Sequence, residues 1–195
     1  MRVIILLAMF VICLQSEAQL SIGLRDNRYI YGEYEIKDRF SIKLEHSVYS
    51  EKIECQYLRG YFGYGGSIGT QFDYELAPYF GTVYNGKYYS GGVMVGVNYC
   101  MLKWLKISAM LNPHYDSGYK YTTCYMSGLS INVWKELFLV GKISNIPEYR
   151  LAEDRLYLGL SVDMGRLSVS PMLSIPIDEK TIKSARVLTS FQYTF

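Results

Sequence analysis

Past its first eighteen residues the chain is written in a period of two. From Phe40 to Tyr49 the even positions carry Phe40, Ile42, Leu44, His46 and Val48, and the odd ones Ser41, Lys43, Glu45, Ser47 and Tyr49. Leu105, Ile107, Ala109 and Leu111 alternate with Lys106 and Ser108. Between Arg155 and Asp163 the apolar residues Leu156, Leu158, Leu160 and Val162 share one parity, as do Leu167, Val169, Pro171, Leu173 and Ile175 further on. Successive side chains of a strand point to opposite faces, so this spacing predicts strands with one apolar face and one polar or small-residue face. Apolar residues at helical spacing do not persist for two turns after Ala18, and the chain reads as all-β.

Turn chemistry divides the pattern. Tight connections are expected at Asp26-Asn27, Lys37-Asp38-Arg39, Gly65-Gly66-Ser67, Leu102-Lys103-Trp104, Trp134-Lys135-Glu136 and Met164-Gly165-Arg166. Longer or more polar ones are expected at 50–52, 83–87, 112–118, 144–154 and 177–184. Eleven strands lie between these points, from residues 28–36 to 186–195. Leu20 to Arg25, with Leu20, Ile22 and Leu24 on one face, supplies a twelfth and makes the number even. Ten is the alternative if the N-terminal hairpin stays outside the wall.

The first residues have a different character. Arg2 is followed by an uncharged apolar stretch from Val3 to Leu14 and by Ser16-Glu17-Ala18, the layout of an export signal cleaved after Ala18. Twelve apolar residues are short for a spanning helix, which needs roughly 20. A lipid anchor on Cys13 is disfavoured by Ile12 at a position that usually carries a small residue. Removing residues 1–18 from the 195 leaves a single domain, 19–195, of 177 residues. At roughly 10 residues per tilted strand, twelve strands fit that length with short connections.

Composition adds two constraints. Net charge is +2 at pH 7 with no run of Lys or Arg, so nothing points to nucleic acid. The chain carries 20 tyrosines, a supply that suits aromatic girdles at a membrane interface. Two histidines and the scattered Cys55, Cys100 and Cys124 match no ligand spacing or disulfide framework, so neither metal nor cofactor is expected.

The export signal, the alternating strands, and an end on Phe191, Tyr193 and a terminal Phe195 together resemble a small outer-membrane β-barrel protein of Gram-negative bacteria. A mature start at Gln19-Leu20 is similar to many Bacteroidota envelope proteins. The resemblance implies a transmembrane antiparallel up-and-down barrel set in outer-membrane lipid and lipopolysaccharide. It also implies that Phe191, Tyr193 and Phe195 form the signal read by the barrel-assembly machinery. A soluble lipocalin-like barrel or sandwich is the competing architecture, since period two alone fits either.

With the polar face inward, Glu33, Glu35, Lys43, Glu45, Glu54, Asp73 and Glu75 would give the first half of the lumen a balance of −5. Lys106, Lys120, Lys142, Arg155, Asp163 and Arg186 would give the later half +4. Such walls would either filter small solutes in an open lumen or pair across the axis and plug it. A passive channel or structural envelope protein is therefore the expected function. The alternatives are a lipid-modifying hydrolase or acyltransferase and a surface protein that binds through its outer loops. For the enzyme the candidates are His114, Asp116 and Ser117 in a turn-forming run expected to be an outer loop. His46 has the parity of the apolar face and reads as a girdle residue.

Overall fold

The computed structural model describes residues 18–36, 39–47, 56–118, 120–145, 154–177 and 185–195. They form twelve strands: β1 (Ala18–Arg25), β2 (Tyr29–Ile36), β3 (Phe40–Ser47), β4 (Tyr57–Ile68), β5 (Phe72–Val83), β6 (Tyr89–Leu102), β7 (Leu105–Asp116), β8 (Lys120–Trp134), β9 (Leu137–Ser144), β10 (Arg155–Met164), β11 (Leu167–Pro176) and β12 (Arg186–Thr194). Each strand pairs antiparallel with its neighbours in sequence, and β1 pairs with β12, so the sheet closes into a barrel with no free edge. Phe191 and Tyr193 stand opposite Leu24 and Ile22 across that seam, and the Phe195 N–H donates to the Leu20 carbonyl at 2.9 Å. The terminal aromatic residues thus complete the closing pair of strands.

The two parities meet opposite surroundings. Ile30, Ile42, Leu44, Phe62, Leu111 and Leu158 lie on the outside and stay about half exposed. Tyr29, Tyr31, Glu45, Tyr57 and Tyr61 point inward and are buried. The barrel therefore inverts the usual arrangement, with its apolar face outside and its polar side chains packed together inside.

Connections at one end, after β4, β6, β8 and β10, are turns of a few residues, and the one between β2 and β3 is equally short in sequence. Those at the other end include every long one, such as Gln56 and its preceding residues, 145–154 and 177–185. We refer to these as the turn end and the loop end. At the loop end β1 and β2 are joined tightly, because Asp26 and Asn27 both adopt positive φ (56° and 58°), the backbone of a hairpin turn matched to strand twist. That turn holds Arg25 and Tyr29 at the mouth of the barrel.

Two sequence expectations need correction. Gly65-Gly66-Ser67 is not a turn but runs within β4. The chain reverses instead at Gly69, whose φ of +65° a glycine adopts without steric cost. Residues 112–116, expected as part of an outer loop, belong to β7. Pro113 suggested a turn, yet it faces outward in the strand, as do Pro78 in β5 and Pro171 in β11. Each proline coincides with a gap in one ladder: between Tyr61 and Tyr64 opposite β5, between Gly92 and Val95 opposite β7, and between Gly159 and Val162 opposite β11. Proline has no N–H to donate, and the wall tolerates it by losing one local pairing rather than the strand. The expected turn at residues 37–38 lies outside the described residues, as does the expected export signal at 1–17.

Candidate functional site

Inside the barrel, toward the loop end, side chains of β1, β3 and β4 converge on one carboxylate. Glu45 on β3 is 1% exposed. Its Oε2 accepts from Arg59 Nη2 at 2.9 Å, Tyr61 Oη at 2.8 Å and Arg25 Nη2 at 3.2 Å. Its Oε1 lies 3.2 Å from Arg25 Nη1 and 3.7 Å from Lys43 Nζ, which also reaches Glu33 at 3.6 Å. A buried carboxylate is retained only when charge and hydrogen bonds offset its lost hydration, and here cations from β1, β3 and β4 do so.

Tyrosines enclose these cations. The Arg59 guanidinium lies 5.0 Å from the Tyr61 ring centroid, 5.5 Å from Tyr57 and Tyr79, and 6.0 Å from Tyr29. Arg25 stacks on Tyr29 at 4.8 Å and Lys43 on Tyr31 at 4.3 Å. Electron-rich ring faces attract such cations most where water is scarce. Tyr57 is pinned from behind by a 2.6 Å hydrogen bond with Ser90. Many of the tyrosines are therefore lining residues rather than girdle residues.

Beside this cluster lies a chamber of about 370 Å³ that touches strands β1 to β10. Its charged lining residues are Arg25, Lys43, Arg59 and Lys142 against Asp26, Glu33, Glu45 and Glu75, so the two signs balance. Lys142 on β9, across the barrel from β3, sits 4.7 Å from the Tyr157 ring centroid. The remaining sector, β6 to β8, carries no charge and is supplied by Met94, Met110, Met126 and Asn112, with Ala77 of β5 beside it. Met110 and Met126 are direct partners across β7 and β8, while Met94 is paired with Ala77 across β6 and β5. Asn112, 2% exposed, lines the chamber beside the methionines, and its Oδ1 has no hydrogen-bond partner among the described residues.

Of the lining residues expected from sequence, Glu33, Lys43, Glu45, Glu75 and Lys142 share the chamber. Glu35 and Asp73 lie in a second hollow of about 300 Å³ toward the turn end, which also reaches Glu33, Glu75 and Arg39. Arg155 is buried in the wall, where its Nε donates to Ser174 Oγ at 2.7 Å. Lys106 borders a separate turn-end hollow with Cys100 and Trp104. Lys120, Asp163 and Arg186 are exposed at strand ends, and Glu54 lies outside the described residues. The expected division into an acidic and a basic wall is corrected by Arg25 and Arg59, which share the inward parity of the acids and offset them. Both were legible from that parity: Arg59 falls between Tyr57 and Tyr61, and Arg25 ends the set Ser21, Gly23, Arg25.

The catalytic candidates are only partly assembled. His114 is a buried strand residue whose Nε2 lies 3.6 Å from Asp116 Oδ2. Its Nδ1 faces the fully buried Cys124 Sγ at 3.7 Å, not Ser117. Ser117 Oγ instead accepts from the Tyr89 backbone N–H at 3.1 Å. His46 lies near the Tyr84 ring, 5.7 Å between centroids.

No protein-family model matches the chain, and no curated protein matches it in sequence. Among solved structures it is similar to the KdgM porin in complex with disordered oligogalacturonate. That likeness has a TM-score of 0.66 and 8% identity, over 91% of this chain and 98% of the other. The KdgM porin on its own gives 0.64 over the same shares, and the NanC porin 0.52 over 91% and 97%. At such identity the likeness is one of fold: the chain adopts the closed twelve-stranded antiparallel barrel of these porins.

Proposed function

We propose that this chain is an integral outer-membrane barrel acting as a narrow passive channel for small solutes, with a charge-compensated lumen. The observation that carries the reading is the pairing of the two faces. A belt of exposed Ile, Leu, Val and Phe surrounds the whole barrel, far more contiguous apolar surface than a soluble monomer shows. The interior instead carries ionised groups around a chamber that reaches ten strands. Water inside and hydrocarbon outside satisfy both, and closure leaves no backbone group unpaired at an edge. The shared fold with porins supports the same reading.

On this reading residues 1–18 are removed on export, the envelope is that of a Bacteroidota-like Gram-negative cell, and Phe191, Tyr193 and Phe195 are presented to the assembly machinery. The loop end faces the cell exterior, where its longer connections would meet lipopolysaccharide. The oligogalacturonate of the KdgM complex is an acidic sugar bound by that protein. The balanced charges of this chamber give no reason to carry an acidic substrate over.

Planar-bilayer recording of the refolded chain, after heat-modifiable gel migration has established folding, tests the proposal. Stable stepwise conductance is expected. A folded barrel that inserts and passes no current would overturn it.

A further inference from the structure

The chamber is chemically two-sided in a way that a simple water-filled passage does not require. Ionised groups and tyrosines occupy β1 to β5 and β9 to β10, while Ala77, Met94, Met110 and Met126 place apolar side chains around Asn112 on β5 to β8. Thioether side chains are unbranched and polarisable, and they mould themselves to varied apolar shapes better than Leu or Ile. Net charge in the lining is zero, so a solute of single net charge would meet as many repelling groups as attracting ones. A zwitterion leaves the balance intact, with its cationic end toward Glu33 and Glu75 and its anionic end toward Lys142. A volume of about 370 Å³ is at the small end of ligand chambers, which run from about 300 to 1,000 Å³.

We propose that the chamber binds short zwitterionic peptides with apolar side chains, two or three residues long: termini on the charged sectors and side chains on the methionine patch. This rests on the water-accessible lumen of the proposed function but not on conduction.

Equilibrium dialysis of radiolabelled Leu-Leu against the barrel in lipid nanodiscs, with empty nanodiscs as the blank, tests it. Leu-Leu is expected to be retained at least about tenfold more tightly than Gly-Gly or than Leu-Leu capped at both ends, and more tightly than octanoate. Replacing Met94, Met110 and Met126 together by Ser should bring Leu-Leu to the level of Gly-Gly. If that triple variant loses its heat-modifiable migration, the single variant Met110→Ser, read in the same way, should weaken Leu-Leu and leave Gly-Gly unchanged. Equal retention of Leu-Leu and Gly-Gly, preference for octanoate, or no retention above the blank would each overturn the inference. Conductance without peptide retention removes the inference and leaves the channel standing. Retention by a barrel that passes no current removes the channel and leaves the binding site.

Discussion

The two sides of the chamber hold their shape by different means. On β1 to β5 the side chains are fixed by directional contacts: one carboxylate takes three donors, and one guanidinium is surrounded by four rings. On β6 to β8 the three methionines face the lumen half-buried, with no directional bond from their side chains. The first side is a rigid fixture whose parts depend on one another. The second is a soft surface whose parts are interchangeable. The fixture braces one part of the wall by directional bonds, and the soft patch offers adaptable apolar contact on the other.

Substitutions on the two sides should therefore differ in cost. The largest effect belongs to Glu45→Leu, which leaves the largely enclosed Arg59 without its counter-charge and Arg25 with Asp26 alone. It should cost about 3–5 kcal/mol in reversible urea unfolding from lipid vesicles. Next is Tyr61→Phe, which removes the 2.8 Å donor to the same carboxylate and should cost about 1.5–3 kcal/mol. Gly81→Ala would drive a methyl group into the Tyr57 ring and force it off Arg59. Such overpacking should cost about 1–3 kcal/mol, and Tyr57→Phe in the same background should restore it only in part, because the methyl meets both the Tyr57 hydroxyl and the ring carbon that bears it. Met126→Leu on the soft side should change stability least, by less than about 1.5 kcal/mol. A Met126→Leu cost matching that of Glu45→Leu in the same unfolding assay would erase the distinction between the two sides.

The sequence carried the architecture well and the chamber in part, and the reasons are physical. Strand number followed from period two, because a face exposed to one environment and a face exposed to another leave an unbroken alternation. The boundaries failed where a turn residue has a second use. Gly65 and Gly66 are strand glycines: a methyl group on Gly65 would stand 2.9 Å from the Tyr74 carbonyl oxygen, and one on Gly66 would stand 3.0 Å from the Tyr74 hydroxyl. Pro113 sits on the outside of β7, where a missing N–H costs one pairing. Parity placed Glu33, Lys43, Glu45, Glu75 and Lys142 on the inward face, yet counting charges strand by strand suggested two opposed walls. The neutralisation by Arg25 and Arg59 depends on three-dimensional approach, since residues 25, 45 and 59 meet only after three hairpins have closed. The methionine patch was equally out of reach, because Met110 and Met126 meet by register and Met94 comes from a third strand, far apart in sequence.

A water-filled lumen in which the charges cancel should pass cations and anions alike. Reversal potential across a bilayer holding the wild-type barrel, measured under a tenfold potassium chloride gradient, is the direct test. Stepwise current with a reversal potential near zero is expected, moving to the anion-selective side in Glu45→Gln. A barrel that conducts with strong selectivity for one ion sign, or one whose selectivity is unmoved by that substitution, would contradict it.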